Sequence, residues 1–140
     1  MTSLAQQSNA LATPEMIAEI AEHFASIAEA LHHTLRLLSD QAVVSTEKVY
    51  ALITEEYGLR TRLGILRGDA KNRTVAGVNI SQMGLIALLE QTATFIRNAR
   101  SIDEIAFVVN SVSVLCVSTF PGKQETVNFL IHRLQVDIVK

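Results

Sequence analysis

Ile102–Phe120, IDEIAFVVNSVSVLCVSTF, is the most apolar run of this 140-residue chain, and its only charges, Asp103 and Glu104, stand at the front end. Ser101-Ile102-Asp103-Glu104 has the form S-x-x-E. This is a capping box: the Ser101 hydroxyl accepts from the Glu104 N–H, and the Glu104 carboxylate accepts in turn from the Ser101 N–H. Both acids also suit the positive end of a helix dipole. Ile105, Val108, Val109, Val112, Leu115, Cys116 and Phe120 follow at three- and four-residue spacing. The β-branched density (Val108, Val109, Val112, Val114, Val117) favours a strand, but length and cap favour a helix. A membrane span needs roughly 20 mostly apolar residues, and Asn110, Ser111, Ser113 and Ser118 interrupt this run. The stretch is therefore expected to be a buried helix, central to its neighbours.

Those neighbours also read as helices. A first one is predicted from Thr13-Pro14, a good N-cap followed by proline at the first helical position. Ile17, Ile20, Phe24, Ile27, Leu31, Leu35 and Leu38 form its apolar face, Glu15, Glu19, Glu22 and Glu29 lie on the other side, and Asp40-Gln41 ends it. A second starts near Ser45 or Thr46, with Val49, Leu52, Leu59, Leu63, Leu66 and Ala70 as its seam. Gly58, Gly64 and Gly68 lie inside it, each costing about 1 kcal/mol relative to Ala. They allow either close helix approach or a bend. Residues 72–78 read as a loop. A third helix is predicted from Asn79, with Gln82 completing a looser capping box, and its apolar residues (Met83, Leu85, Ile86, Leu88, Leu89, Phe95, Ile96) point to burial on most sides. The opening stretch is the fourth. Pro121-Gly122 breaks it, and a fifth runs from about Pro121 or Lys123 to the end, with Val127, Leu130, Ile131, Leu134 and Ile138 inward. Short connections make neighbouring helices antiparallel. The polar residues 1–12 are expected to be a flexible tail.

This length suits one domain with a sizeable core, here residues 13–140. Apolar residues make up 49% and aromatics 5%, so the core must be mainly aliphatic. The apolar surplus points to an oligomer interface. A net charge of −2 gives no global signal for a polyanion partner. The single cysteine, Cys116, excludes an intramolecular disulfide and a multi-cysteine metal site; among valines it reads as an inert packed thiol. The first residues lack the basic and apolar regions of a secretory leader, and a cytoplasmic location is the expectation.

The charge layout is asymmetric. Residues 1–44 carry five acids and one base, whereas residues 60–73 carry Arg60, Arg62, Arg67, Lys71 and Arg73 against Asp69 alone. At about 100° per residue Arg60, Arg67 and Lys71 share a stripe beside the apolar seam. With Arg73 they form a candidate binding site for phosphates or an acidic partner. The internal alternative is that Glu56, four residues before Arg60, and the acidic first helix neutralise them. A helix-turn-helix over 47–62 fits the apolar positions poorly.

Of the four histidines, His33 stands opposite the apolar face of the first helix, while His32 beside it points elsewhere, which argues against a metal site. His33-Thr34-Leu35-Arg36 resembles the opening of the H-x-L-K-G motif of histidine phosphotransfer proteins, which carry it on a four-helix bundle of this size. The resemblance covers four residues and implies His33 as phosphoacceptor; Leu37 stands where the family has glycine. Cys116 has no base near it in sequence, the Gly122-Lys123 pair lacks the upstream glycine of a P-loop, and Glu55-Glu56 and Asp103-Glu104 read as helix-surface or cap residues. No catalytic residue, metal site or cofactor is indicated.

These readings combine into an all-α antiparallel bundle of four to five helices, with the helix around 102–120 central. The function expected first is a non-enzymatic protein-protein interaction or regulatory module that self-associates, without a membrane span. Phosphotransfer through His33 and nucleic-acid binding through residues 60–73 are the alternatives, the latter not favoured.

Overall fold

The computed structural model describes residues 9–40 and 45–139, and over these it is all-α. The helices are α1 (Pro14–Ser39), α2 (Thr46–Gly68), α3 (Gln82–Arg97), α4 (Ile102–Val117) and α5 (Gln124–Asp137), with one 3-10 turn at Ala70–Asn72. Caps set four of the starts. Thr13 Oγ1 accepts from the Met16 N–H, Ser45 Oγ from Lys48, Ser81 Oγ from Gly84 and Ser101 Oγ from Glu104. Each satisfies one of the orphan donors of a helix N-terminus.

The α4 cap differs in one detail: the Glu104 carboxylate accepts from the Arg100 N–H at 3.2 Å, one residue earlier than expected. The same helix stops at Val117 rather than Phe120. Phe120 precedes a proline and is biased away from helical backbone.

Helix α3 starts two residues later than the sequence suggested, capped by Ser81 rather than Asn79. Gln82 is not free to close a capping box, because its side chain is buried among long-range partners. Its Oε1 accepts from the Leu11 N–H at 3.2 Å, and its Nε2 donates to the Met16 carbonyl at 3.1 Å and to Glu19 Oε1 at 2.9 Å. Asn79 spends its N–H on Asn128 Oδ1 instead.

The expected tail is also shorter. Residues 1–8 lie outside the described residues, but 9–12 are not loosely attached. Ala10 and Leu11 are fully buried. The Ala10 N–H donates to the Ile80 carbonyl and the Leu11 carbonyl accepts from Val75, both at 2.8 Å. Leu11 holds φ 65°, a left-handed conformation that costs a leucine roughly 1–2 kcal/mol. Hydrogen bonds on both sides of it and complete burial offset that cost.

Ion pairs and hydrogen bonds fix the helix directions. Along α1 the partners Glu22, Glu29 and His32 meet Arg67, Arg60 and Glu56 of α2, so these two run antiparallel. Met16 and Thr34 of α1 meet Gln82 and Ile96 of α3, so those two run parallel. Lys48 of α2 meets Asp103 of α4 near the start of both, another parallel pair. The chain goes up and down, and helices adjacent in sequence reverse direction as expected. The broad parallel contacts, α1 on α3 and α2 on α4, join helices two apart, which loop length alone could not show. Among the described residues α4 is the helix that touches all four others, while α1 packs most widely, on α2 and α3. The helices follow one another around the bundle as α1, α2, α4, α5, α3.

The core is aliphatic with one aromatic at its centre. Phe24, Ile17, Ile20, Ile27 and Leu31 of α1 meet Leu59 and Leu66 of α2, Leu85, Leu89 and Ile96 of α3 and Ile105 of α4, all fully buried. Each such side chain contributes about 1.5–3 kcal/mol by leaving water. Among the described residues no helix is long and apolar enough to cross a membrane.

Candidate interaction surface

The α1–α2 joint takes up two members of the basic stretch, Arg60 and Arg67. Arg60 Nε donates to Glu56 Oε2 at 2.8 Å, and its Nη2 reaches Glu29 Oε2 at 3.3 Å. Hydrogen bonding to Glu56 raises the Arg60 pKa above its ordinary value, so the guanidinium stays charged. Arg67 forks onto both carboxylate oxygens of Glu22, at 3.1 and 3.3 Å. Arg73 sits 3.4 Å from Asp69, at ion-pair distance but without an aligned hydrogen bond, so its buried Nε is left without a partner. Lys71 is exposed beyond the end of α2 and makes no ion pair among the described residues. Of the four candidate binding residues, Arg60 and Arg67 point along the joint at carboxylates, and Lys71 and Arg73 lie past it.

Glu56 is not a surface residue: it is 7% exposed, on the stripe that buries Leu52, Leu59 and Leu63. Arg60 and His32 Nδ1, the latter at 3.3 Å, complete its surroundings. A buried carboxylate is tolerable only when paired and hydrogen-bonded, and the partner on α1 is invisible to a reading of α2 alone.

The remaining reactive groups are placed as follows. His33 is exposed on α1, with Leu37 also exposed one turn on. Cys116 is buried, and burial pushes its thiol up to about 12 against the opposing fields of Arg62 and Arg73. It is therefore protonated and a poor nucleophile. Asp103 is paired with Lys48 at 2.9 Å. Among the described residues no three His, Cys, Asp or Glu side chains are grouped so as to hold a metal ion.

The outer surfaces are unequal. Large apolar residues exposed to water fall mainly on α2 (Tyr50, Tyr57, Ile65), α4 (Phe107, Val114, Val117) and α5 (Phe129, Val136), while α1 and α3 contribute Leu37 and Met83. These three helices are consecutive around the bundle. Tyr50 and Tyr57, at 64% and 68% exposure, are the main features of α2. Together with Thr54, Thr61 and Gly64 they form the stripe opposite its buried seam, and no charged residue stands among them. The two threonines bond their own helix, each Oγ1 donating to the carbonyl four residues back at 3.0 Å, so their outer aspect is methyl-like.

Beside this stripe a groove of about 320 Å³ runs between α2 and α4, lined by Thr54, Glu55, Gly58, Leu59 and Arg62 on one side and Asn110, Ser113, Val114 and Val117 on the other. The Ser113 hydroxyl is buried there without a hydrogen-bond partner. Glu55 and Arg62 have no ion-pair partner among the described residues, unlike Lys48, Glu56, Arg60 and Arg67 of the same helix. The two sequence readings of the α2 glycines also separate. A Cβ built at Gly58, Gly64 or Gly68 would meet nothing within 4 Å, so none serves close approach inside the fold; α2 passes through Gly58 and Gly64 as one continuous helix and ends at Gly68.

Tyr50, Tyr57, Glu55 and Arg62 were not singled out by the sequence reading, although a helical wheel places the tyrosines opposite the Leu52–Leu59–Leu63–Leu66 seam. Comparisons with protein-family models, with characterised proteins and with solved structures find no match.

Proposed function

We propose that this protein is a non-enzymatic interaction module that docks another protein on the outer face of α2 and α4. One observation carries the reading: an uncharged stripe holding two largely exposed tyrosines lies next to an open groove walled by Val114 and Val117. Exposed apolar surface rimmed by polar residues marks sites of protein contact. Tyrosine is enriched there because it brings a large rigid surface together with a polar tip. The groups suited to chemistry are committed elsewhere: the Cys116 thiol is buried and protonated, and Glu56 is held by Arg60 and His32. Phosphate binding by the basic stretch is the weaker reading, since Arg60 and Arg67 already meet carboxylates.

Site-specific photo-crosslinking tests the face. A crosslinking residue at Tyr57 or Val114 should give a discrete protein adduct in cells that make the protein, and one at His33 or Ser26 of α1 should give none. Adducts of equal yield from both sides, or from α1 alone, would defeat the proposal.

A further inference from the structure

We infer, resting on the docking face just proposed, that its occupant is a second copy of this chain. The two copies are related by a two-fold axis that crosses α2 beside Gly58 and Leu59, so that Glu55 of each copy meets the partner's Arg62.

Charge is the first argument. An isologous contact places residue i of one copy on residue j of the other, and j on i. A face that binds its own copy this way must carry opposite charges in equivalent places about the axis. Glu55 and Arg62 are seven residues apart, two turns along one side of α2, and both line the groove unpaired among the described residues. An antiparallel copy of α2 pivoted midway between them brings each charge to its opposite twice over. The same register sets Glu47 against the partner's Lys71 end. An acidic partner or a nucleic acid would leave the Glu55 and Glu47 carboxylates facing like charge.

Shape is the second. The pivot falls on Gly58, where an added Cβ would meet nothing within 4 Å. The absent side chain leaves room outside the subunit rather than within it, where a facing helix can approach closely. Thr54 and Thr61 flank the pivot and join it to the uncharged stripe that carries Tyr57.

Size is the third. With α2 at 23 residues and α4 at 16, a rise of about 1.5 Å per residue and helix spacings of about 8–10 Å give a face of roughly 500 Å² per copy. Two such faces total about 1,000 Å², the size of a small, reversible interface, which places the dimer in the micromolar to millimolar range.

Sedimentation equilibrium of the full chain from micromolar to millimolar concentration, with charge-swapped variants, tests the inference. The unaltered chain should fit a monomer-dimer equilibrium. Glu55→Arg or Arg62→Glu alone places two like-charge pairs across the axis and should weaken dimerisation at least tenfold. The double variant should restore it. Mixing the two single variants should give a heterodimer, because Glu55→Arg supplies two cations and Arg62→Glu two anions in matching places. Circular dichroism checks folding, and Glu55→Gln and Arg62→Gln, with a smaller loss of several-fold, serve if a swap fails to fold. A chain that stays monomeric at millimolar concentration, or a dimer indifferent to both swaps, overturns the inference. The docking face itself then stands or falls separately on the Tyr57 crosslink: an adduct with a different protein keeps the face and rejects the second copy, and no adduct rejects both.

Discussion

Helices α1 and α2 are similar in length and lie antiparallel against each other, yet they turn opposite kinds of surface to water. The outer side of α1 carries Glu15, Glu19, Glu22, Glu29, His33 and Arg36, all exposed, including Glu22 and Glu29, which reach over to α2. The outer side of α2 carries Tyr50, Thr54, Tyr57, Thr61 and Gly64. Charge on a helix face is what a boundary with water alone would select. An uncharged stripe with aromatics is not needed for solubility, and the glycines beside it lower helix stability by about 1 kcal/mol each relative to alanine. Nothing inside the subunit uses the space they leave. The difference teaches that α1 is finished by folding, whereas α2 has one face that folding leaves unfinished.

The largest expected effect tests whether the α2 stripe really lies outside the core. Phe24→Ala, at the buried centre of α1, should cost about 3–5 kcal/mol in urea denaturation. Tyr57→Ser on the stripe should change monomer stability by no more than about 0.5 kcal/mol. Working at low micromolar concentration keeps any self-association from adding to the second value. A Tyr57→Ser loss comparable to that of Phe24→Ala would dissolve the distinction between the two helices.

Much of this contrast can be read from the sequence wherever the cause is local. Thr13, Ser45 and Ser101 were identifiable as caps because the hydroxyl and the N–H it serves lie three residues apart. The α1 seam was identifiable because seven aliphatic and aromatic positions repeat along one face. What stayed hidden depends on partners distant in sequence. Gln82 reads as a capping residue until Leu11, Met16 and Glu19 are seen around it. Residues 9–12 read as tail because their hydrogen bonds go to Val75, Ile80 and Gln82, some seventy residues away. Glu56 reads as surface because a carboxylate is expected in water and its α1 partner is on another helix. The candidate surface is half legible: the apolar surplus points to an interface, but the leucines of α2 mark only its inner side, and the stripe opposite carries no comparable pattern.

A middle-sized effect separates the two ends of the joint between these helices. Arg60 compensates the buried Glu56, so Arg60→Ala leaves a carboxylate at 7% exposure with only His32 beside it. Removing one partner of a buried pair is strongly destabilising, and because Arg60 is itself partly solvated the expected loss is about 2–3 kcal/mol. Arg67 pairs with the exposed Glu22, and Arg67→Ala should cost less than about 1 kcal/mol. Equal losses would mean that the acidic face of α1 is held by its charges as a whole rather than by one buried carboxylate.

The smallest effect is the sharpest, because its sign differs between glycines. Gly58→Ala and Gly64→Ala each add a methyl group to open space in a helix interior. The gain in helix propensity should raise monomer stability by about 0.5–1 kcal/mol apiece. Gly84→Ala in the first turn of α3 places its Cβ 2.9 Å from Ile80 Cγ1 and 3.1 Å from Ser81 Oγ, the cap of that helix. There the same substitution should cancel its propensity gain or destabilise, since the cap must shift to admit the methyl. Thermal melts of the three variants decide the sign. For Gly58→Ala the melt should rise while self-association weakens, the two readouts moving in opposite directions. A glycine kept at the expense of the subunit's own stability, whose replacement strengthens the fold and loosens the assembly, is a residue selected for what lies outside the fold. If Gly58→Ala raises the melt and leaves self-association unchanged or stronger, α2 is an ordinary helix with a glycine it can spare, and its outer face needs no second molecule to explain it.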